Sequence, residues 1–391
     1  MKPLALLSHI RGDTYSGAER LFSDVAKLLS DSGFEVICCY AISYDDMTDG
    51  LSLKSHGIKI INTSRHLERV LDSKYLVNRT LLGFHHSTQL KKLVEKLHPK
   101  LVFVAHEAFR PLQLTNNKEE YVLIHYVHNP YEFVPDPAPA PLGNNIWFMN
   151  FLAEKYVIKE NDFSNIVLAN SSSTQTECIK RWNREDCVVL YPPIKVDEIP
   201  VCDPLAKKDI CIVLSRIDPA KRIELAIEAF SSKILRDKKL FIIGYVSKDN
   251  EYYYYKLADL CKKHSNISIF PNLKRDELLA LLSKAKVFFH PRPNEHFGIA
   301  TVEAMAAGCI PVVHASRGPL EVIVNNGKYG LVYTDATELP EILDYAFNSA
   351  IDFQYKLRNR ALDFDTKHFK KKFGTIIDKA TDNNNCSRNK L

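Results

Sequence analysis

The sequence lacks any apolar run of the about eighteen residues that a membrane-spanning helix needs, and its N-terminal segment Met1–His9 is too short in apolar residues for a signal peptide. Nine cysteines are present without a CxxC pair, and the adjacent Cys38 and Cys39 fall inside a predicted strand. The cysteines therefore indicate neither a zinc cluster nor a disulfide framework. These absences predict a chain that is made and kept in the cytoplasm, with its thiols reduced.

Strong net charge is also missing. The formal charge of +5 suits an anionic substrate or an anionic membrane surface but is too weak to argue for nucleic-acid binding, and no nucleic-acid-binding motif is present. With 46% hydrophobic and 25% charged residues, the composition is that of a globular protein. A length of 391 residues exceeds one ordinary core and favours two domains.

Two series of alternating strands and helices divide the chain. The first series has predicted strands at 4–8, 35–40, 59–61, 101–105, 122–127, 166–169 and 188–191. The second has predicted strands at 210–214, 240–243, 267–270, 287–289 and 310–313. This alternation is typical of α/β domains with doubly wound parallel sheets. We predict a first domain at 1–191, a proline-bearing linker at 192–207, a second domain at 208–351, and a polar tail at 381–391 that is expected to be disordered.

A glycine-bearing loop, rather than a GxGxxG motif, follows the first predicted strand. Gly12 and Gly17 flank this loop, which leads into a helix. Glycines at this place let the backbone approach a phosphate closely. The alternative is that both glycines only form ordinary turns.

The segment His290–Gly308 carries two carboxylates, Glu295 and Glu303, with seven residues between them. Prolines keep its first part in a loop, and Gly298 precedes a predicted helix at 299–307. Because the first amides of a helix lack partners and carry partial positive charge, those of Phe297, Gly298, Ile299 and Ala300 can bind a diphosphate. Glu303, expected in the first turn, can accept hydrogen bonds from a ribose, while Glu295 reaches hydroxyls of a sugar beyond the phosphates. The alternative is that the two acids bind no ligand and that the Glu near the helix start merely interacts favourably with the helix dipole.

This segment resembles the Glu-x7-Glu signature of the retaining glycosyltransferases of family 4, which have the GT-B fold, and the resemblance runs over nearly the whole chain. More narrowly, four motifs look like those of the dolichol-pathway alpha-1,2-mannosyltransferase subgroup: Asn294–Ile299, His314–Pro319, Tyr126–Pro130 and Tyr191–Pro193. The resemblance implies two Rossmann-like domains that face each other across a cleft, with a C-terminal helix region at 352–380 that crosses back to the first domain. The subgroup usually has an N-terminal membrane anchor with no counterpart in this sequence, so membrane contact is expected only through surface features.

Two cations, Arg216 and Lys221, follow the predicted strand 210–214. Ligands commonly bind at the carboxyl ends of strands in open α/β sheets, and a guanidinium and an ammonium can converge there on one diphosphate. An exposed basic loop is the alternative. In family 4 such a pair stabilises the phosphate charge that grows as the sugar–phosphate bond breaks, and both residues match.

His128 directly follows the predicted strand 122–127. A lone histidine after a strand is often structural, and spacing alone leaves both interpretations open. The resemblance implies a place near the anomeric carbon and the C6 hydroxyl of the transferred sugar. His106 and Glu107 form a second polar pair at a strand end, which we interpret as structure on the acceptor side.

The base of the nucleotide is implied by the resemblance to contact the backbone at Pro271, Asn272 and Leu273, with Gly244 leaving room for backbone in the same cleft. Asp363 and Asp365 satisfy the letter of a metal-binding DxD motif but fall in the expected crossover helix, so we interpret them as solvated surface. No metal and no cofactor are expected, because cationic side chains and helix amides can stabilise the phosphates instead.

Two surface stretches have open interpretations. The amphipathic stretch Leu90–Lys100 suits either an anionic membrane or, more simply, packing against a sheet, and the same holds for Lys370–Lys372. The polyproline stretch Pro135–Pro141 is a stiff loop that either borders the acceptor or acts as a spacer.

The sequence as a whole predicts a retaining hexosyltransferase, with GDP-mannose favoured over a UDP-sugar and with a lipid-linked oligosaccharide or a polysaccharide as acceptor. It is expected in the cytoplasm, with peripheral contact to the membrane as an option. Two alternatives remain open. A GT-B nucleotide-sugar epimerase would need no acceptor, and a noncatalytic partner of another transferase would bind the donor without turnover.

Overall fold

A computed structural model describes residues 2–12, 17–43, 52–64, 76–105, 121–128, 165–247, 250–349 and 352–388. Contacts divide the chain into two compact units. The first unit combines Met1–Leu190 with Lys370–Leu391, and the second is Tyr191–Phe369. Several predicted features lie outside the described residues: the loop core at 13–16, the pair His106 and Glu107, and the proline-rich stretch 135–141.

The first unit contains a seven-stranded parallel sheet with the order β3-β2-β1-β4-β5-β6-β7. Its strands are β1 (Leu4–Gly12), β2 (Glu35–Ser43), β3 (Lys59–Asn62), β4 (Leu101–Val104), β5 (Val122–Val127), β6 (Ile166–Ala169) and β7 (Val188–Val189). Strands β4 and β5 are buried along their whole length, as expected for a parallel sheet covered on both faces. The strand order reverses between β1 and β4, which is the mark of a doubly wound sheet.

The described helices of the first unit are α1 (Gly17–Asp31), α2 (Leu76–Leu97) and α3 (Ser172–Trp182). Leu90 and Val94 of α2 are 1% and 7% exposed and belong to a core cluster with residues of the sheet such as Leu6. The apolar side of the stretch 90–100 is therefore occupied by the sheet, which supports the packing interpretation over the membrane interpretation.

The second unit contains a six-stranded parallel sheet with the order β10-β9-β8-β11-β12-β13. Its strands are β8 (Lys208–Leu214), β9 (Lys239–Gly244), β10 (Ile267–Pro271), β11 (Ala285–His290), β12 (Ile310–His314) and β13 (Leu331–Tyr333). The order reverses between β8 and β11, so this sheet is also doubly wound. The predicted α/β class with two Rossmann-like domains is confirmed.

The described helices that begin in the second unit follow its strands, and the last of them continues into the first unit. They are α4 (Glu224–Phe230), α5 (Glu251–Cys261), α6 (Arg275–Lys284), α7 (Ile299–Ala306), α8 (Leu339–Asn348), α9 (Asp352–Leu362) and α10 (Thr366–Arg388). Val302, Ala304, Met305 and Ala306 of α7 are fully buried, and α9 packs on this helix. Among the described residues, no helix combines the length and the apolar character needed to cross a membrane.

The predicted linker, 192–207, is part of the second unit rather than a free connection. Ile194, Val196 and Ile199 are at most 2% exposed and lie in the same core cluster as the second sheet. The prolines of this segment suppress regular structure, but its apolar residues still bury themselves. The division between the units therefore falls at Leu190 and Tyr191.

The C-terminal region forms two helices, and the first of them stays with the second unit. Asp363 and Asp365 lie in the break between α9 and α10 rather than inside a helix, and Asp365 forms a bridge to Ile194. From Lys370 onward the chain groups with the first unit, where Phe373 contacts Phe103 edge to face at 6.0 Å. Helix α10 continues to Arg388, where the polar composition predicts disorder.

Candidate active site

The carboxyl ends of β8 and β11 lie side by side at the switch point of the second sheet. Arg216 and Lys221 follow β8, and Glu295 follows β11. Open α/β sheets bind ligands at this position, because the connections from adjacent strands diverge to opposite faces of the sheet there. The topology therefore brings the predicted cations and the predicted loop acid to one place.

Lys221 and Glu295 form an ion pair, with 2.7 Å between Lys221 Nζ and Glu295 Oε2. Each side chain is only 16% exposed. His290 Nε2 and Arg292 Nη1 each lie 3.6 Å from the same oxygen. Glu295 is thus surrounded by one lysine, one arginine and one histidine.

Burial alone would raise the pKa of Glu295, but Lys221, His290 and Arg292 together hold this pKa well below its ordinary value. Burial lowers the pKa of Lys221, as do Arg292 and Arg216, whereas Glu295 opposes the shift. Glu295 is ionised at neutral pH and can only accept hydrogen bonds.

The exposed side chain of Arg216 makes no hydrogen bond or ion pair within the described residues, although its charge acts on Lys221. The carbonyl oxygen of Arg216 accepts a hydrogen bond from Ser215 Oγ at 2.9 Å. Lys221 ends a short 3-10 turn, Pro219–Lys221, in which the Asp218 carboxylate accepts a hydrogen bond from Ala220 N at 2.8 Å. The turn fixes the lysine, while the arginine keeps all of its donors for a ligand.

A second loop, which follows β12, holds the Glu295 loop in place. Ser316 Oγ accepts a hydrogen bond from Asn294 N at 2.8 Å, and Gly318 N donates to the carbonyl oxygen of Glu295 at 3.1 Å. His314 Nδ1 lies 2.9 Å from the same Ser316 hydroxyl. The motif His314–Pro319, to which the sequence assigns no role, therefore positions the Glu295 loop.

Aromatic packing fixes the loop from its other end. Phe297 is 3% exposed and stacks on Tyr191 with 5.8 Å between the ring centroids. Phe364 contacts both rings edge to face, at 5.6 Å from Phe297 and 5.3 Å from Tyr191. The side chain of Phe297 therefore anchors the loop in the core, and only its backbone remains for the predicted contact with phosphate.

Gly298 is the N-cap of α7 and has a left-handed backbone conformation, with φ of 94°. An added Cβ would meet Pro319 Cγ and Thr301 Oγ1 at 3.2 Å each, so both conformation and space favour glycine. Helix geometry leaves the amides of Ile299 and Ala300 without intrahelical acceptors, as predicted for a phosphate site. The helix begins at Ile299, as predicted, but one turn takes about 3.6 residues, so Glu303 as the fifth residue lies in the second turn and not in the first.

Glu303 is 3% exposed, and its Oε1 accepts a hydrogen bond from Arg275 Nη2 at 2.7 Å. Arg275 is the first residue of α6, which follows β10 at the same edge of the sheet. The carboxylate predicted to bind ribose is therefore held by an arginine that sequence reasoning missed. Arg275 carries no motif and stands 28 residues from its partner, so no local signal identifies it.

The predicted base-binding backbone is partly engaged within the protein. Asn272 N donates to Gly244 O at 2.9 Å, and Asn272 Oδ1 accepts from Val246 N at 2.9 Å. A Cβ on Gly244 would lie 1.9 Å from Ser215 O, so the space at this glycine is filled by the residue that follows β8 and not by ligand. Leu273, which is partly buried against the core, follows with its backbone on the same edge.

The predicted residues of the first unit lie at the carboxyl edge of its own sheet. Gly12 ends β1 opposite Ser43, Gly17 begins α1, and His128 follows β5. The His128 ring contacts Tyr126 at 5.0 Å, and its carbonyl oxygen accepts from Asn170 Nδ2 at 3.0 Å. The described ranges contain no cluster of three or more His, Cys, Asp or Glu residues that could hold a metal ion.

The fold matches solved GT-B enzymes over almost the whole chain. HepE from Anabaena, in complex with UDP, has a TM-score of 0.71 and 17% identity, covering 96% of this chain and 100% of that one. WaaG, a glycosyltransferase involved in lipopolysaccharide biosynthesis, has a TM-score of 0.71 and 16% identity, covering 96% and 99% of the two chains. The protein therefore has the fold of the GT-B glycosyltransferases.

Two family models identify the particular family. The model described as Glycosyltransferase Family 4 matches residues 15–198, and the model described as Glycosyl transferases group 1 matches residues 200–362. The two matches follow one another along nearly the whole chain, as the resemblance of the motifs predicts. The chain belongs to glycosyltransferase family 4.

Curated relatives include two with the name GDP-Man:Man(3)GlcNAc(2)-PP-Dol alpha-1,2-mannosyltransferase. The Mus musculus protein is 33% identical over 179 residues, which cover 41% of this chain and 36% of the relative. The Dictyostelium discoideum protein is 26% identical over 272 residues, which cover 62% of this chain and 53% of the relative. The chain thus matches only about a third to a half of the length of these relatives.

Proposed function

We propose that this chain is a retaining hexosyltransferase that transfers mannose from GDP-mannose to a lipid-linked oligosaccharide or a related glycan acceptor. The observation that carries the proposal is the Lys221–Glu295 pair, with 2.7 Å between Nζ and Oε2, at the switch point of the second sheet. A cation for a phosphate and an anion for sugar hydroxyls are thereby held next to each other. This is the arrangement that an activated sugar requires, because its phosphate and hydroxyl groups are close together.

The cations stabilise the leaving group. When the bond between the anomeric carbon and the phosphate oxygen breaks, negative charge grows on the diphosphate. Lys221 and the exposed Arg216 supply positive charge there, and Arg292, which lies 3.6 Å from Glu295, adds a third cation to those predicted from the sequence. The amides at the start of α7 donate to the same group.

The two acids hold the two sugars of the donor. Glu295, ionised and partly buried, accepts hydrogen bonds from hydroxyls of the transferred hexose, and Glu303 accepts them from the ribose. Lys221 already pairs with Glu295, so when a diphosphate binds, the ammonium group of Lys221 interacts with both the Glu295 carboxylate and the diphosphate. The resemblance to family 4 supports a place for His128 beside the reacting carbon.

Retention is proposed to follow from attack on the same face of the sugar. The acceptor hydroxyl forms its bond to the anomeric carbon on the side from which the diphosphate leaves, and the leaving phosphate takes the proton of that hydroxyl. Glu295 is not assigned as a nucleophile, because the cations around it engage its carboxylate. The same cations are proposed to stabilise the phosphates without a divalent metal, and no cofactor is invoked.

The names of the curated relatives support GDP-mannose as donor and a dolichol-linked oligosaccharide as acceptor. A lipid-linked acceptor implies work at a membrane surface, and we propose peripheral contact on the cytoplasmic side. Lys370, Lys371 and Lys372 are exposed on α10 and supply positive charge for such contact.

The test is a transfer assay with the purified chain, GDP-mannose, UDP-glucose and ADP-glucose as donors, and a Man3GlcNAc2-diphosphate lipid as acceptor. The expected result is a product enlarged by one hexose with GDP-mannose only, in alpha linkage by NMR. A soluble mannan primer, assayed in parallel, distinguishes a polysaccharide acceptor from a lipid-linked one.

Three outcomes contradict the proposal in different ways. Release of an epimerised nucleotide sugar without acceptor indicates an epimerase. Binding of GDP-mannose without transfer to either acceptor indicates a noncatalytic partner. Transfer with inverted configuration refutes retention while leaving the donor assignment intact.

A further inference from the structure

Arg275 holds the carboxylate that the proposed function assigns to ribose. Its Nη2 lies 2.7 Å from Glu303 Oε1. The Glu303 side chain is only 4% exposed, whereas that of Arg275 is 38% exposed. The arginine therefore links a buried acid to the more exposed first residue of α6.

The second terminal nitrogen of the same guanidinium, Nη1, takes no part in this ion pair. Arg275 Nη1 is buried and has no acceptor in the part of the chain that the structure describes. A buried donor on a charged group costs free energy unless an acceptor satisfies it. The guanidinium is planar and rigid, so fixing Nη2 on Glu303 also fixes the direction of the N–H bonds at Nη1.

The placement of both side chains follows from the strand order. Arg275 begins α6 after β10, and Glu303 lies on α7 after β11. The two residues thus meet at the carboxyl edge of the sheet, where the nucleoside end of a donor is expected. The backbone at Asn272 and Leu273, implied to lie near the base, is only a few residues before Arg275 along the chain.

We infer that Arg275 and Glu303 together clamp a ribose hydroxyl, which donates its hydrogen to the Glu303 carboxylate and accepts a hydrogen bond from Arg275 Nη1. This inference rests on the proposed function, because it presumes a nucleotide donor. A hydroxyl is the one ribose group that both donates and accepts, so it satisfies the acid and the arginine at the same time. Arg275 thereby acts as a positioning residue for Glu303 and as a determinant of specificity for ribonucleotides.

A purely structural ion pair makes a different prediction. If Arg275 served only to neutralise buried Glu303, its loss would lower the stability of the fold and weaken every ligand alike. A clamp on a hydroxyl instead makes the effect of the mutation depend on whether the ligand has that hydroxyl. The discriminating measurement is therefore the ratio of two dissociation constants and not either constant alone.

The experiment measures binding of GDP and of 2′,3′-dideoxy-GDP to the full chain by calorimetry, for wild type, Arg275→Gln, Arg275→Lys, Glu303→Gln and Lys274→Gln. Wild type is expected to bind GDP more than about tenfold more tightly than the dideoxy nucleotide, since hydrogen bonds to charged groups are lost with the hydroxyls. Arg275→Gln and Glu303→Gln should each reduce that ratio to below about threefold, by weakening GDP and leaving the dideoxy affinity nearly unchanged. Lys274 is exposed and adjacent, so Lys274→Gln removes the same charge and should keep the wild-type ratio.

Arg275→Lys keeps the positive charge but lacks the two terminal nitrogens of a guanidinium. This variant tests the inference if Arg275→Gln does not fold. Its ratio should also fall, because an ammonium that pairs with Glu303 has no second nitrogen for the hydroxyl. A wild-type ratio in the folded Arg275 variants overturns the inference, and so does an equal loss of affinity for both nucleotides. Failure of wild type to bind any of GDP, UDP or ADP overturns the proposed function itself, and the inference with it.

Discussion

Gly318 packs so closely on His296 that a Cβ on the glycine would lie 2.0 Å from the carbonyl oxygen of the histidine and 2.5 Å from its carbonyl carbon. The same glycine donates its backbone N–H to the carbonyl oxygen of Glu295 at 3.1 Å. The hydrogen bond requires the close contact with His296, because any side chain at position 318 would push the loop after β12 away from the Glu295 loop. The position of the Glu295 carboxylate is thus set by a residue more than twenty positions away along the chain.

Gly318→Ala should therefore impair transfer through the Glu295 loop. The added methyl group meets backbone atoms, which cannot swing aside, and overpacking of this kind costs about 1–3 kcal/mol. A displaced acid should lower kcat by about one to two orders of magnitude, since reacting groups tolerate little misplacement. The measurement is kcat together with denaturant unfolding. Gly374→Ala is the control, because nothing lies within 4 Å of a Cβ at this helical position, and its kcat should match wild type.

The Lys221–Glu295 pair supports a second prediction. Lys221→Met and Glu295→Gln should each lower transfer by about two or more orders of magnitude, because one removes charge stabilisation of the leaving group and the other removes an acceptor for the sugar. Circular dichroism should show a retained fold for both. The exposed Lys233→Met serves as the control for loss of a positive charge, with an unchanged rate expected. Full activity in either site variant would refute the role assigned to that residue.

The fold was largely predictable from the sequence, because buried parallel strands are continuous apolar runs. The predicted strand at 122–127 agrees with the structure, and that at 310–313 is one residue short of β12. Strand β13, Leu331–Tyr333, was missed, because three residues between polar turns give no periodicity. The linker prediction at 192–207 was wrong, because the prolines of this segment suggested a free connection although its isoleucines belong to the core of the second unit.

The site was predictable only where its residues are close together in sequence or follow strands. Glu295, Arg216 and Lys221 follow strands at the switch point, and the structure brings Lys221 to Glu295. Arg275 was not predictable, because its role depends on the direction in which α6 starts. Gly244 had the expected need for space, but the residue that follows the neighbouring strand occupies that space.

Lys207 presents a test of stability that is separate from the site. Its Nζ donates to the carbonyl oxygens of Ser283, Ala285 and Ala307 at 2.9, 2.7 and 2.8 Å, and the residue is 6% exposed. These carbonyls end α6 and α7, where the helix dipole favours a cation. Lys207→Met removes three hydrogen bonds to buried carbonyl oxygens and should lower the free energy of unfolding by about 2–5 kcal/mol. Urea unfolding checks this, and the exposed Lys208→Met should change stability by less than about 0.5 kcal/mol.

Dependence on metal is tested by chelation. Because Lys221, Arg216 and Arg292 surround the proposed diphosphate position, transfer should persist in EDTA at the rate measured without it. The assay is initial velocity after dialysis against chelator, followed by addition of Mg²⁺ or Mn²⁺. A rate that collapses in EDTA and returns with a divalent ion would show that these cations are insufficient.

Histidine burial in the first unit predicts a dependence of stability on pH. His86 is fully buried, with its Nε2 2.9 Å from Ser8 Oγ and its Nδ1 2.6 Å from Thr63 Oγ1. Burial, helped by the charges of His9 and His85, lowers the pKa of His86 from 6.5 to about 3. Below pH 6.5 the His86 imidazole therefore becomes protonated in the unfolded chain but stays neutral in the folded chain. The contribution of His86 to the free energy of unfolding is complete above pH 6.5 and is lost as the pH falls toward 3.

The corresponding measurement compares unfolding at pH 7.5 and pH 5 for wild type, His86→Asn and His98→Asn. Between these two pH values this one histidine should cost the wild type about 2 kcal/mol, a penalty that His86→Asn lacks whatever its own stability. His98 is exposed and has a φ of 46°, which asparagine tolerates well, so His98→Asn should keep the wild-type difference. An equal loss of stability in wild type and His86→Asn would mean that His86 is protonated in the folded state, and the hydroxyl groups of Ser8 and Thr63 would then have to accept its two N–H bonds.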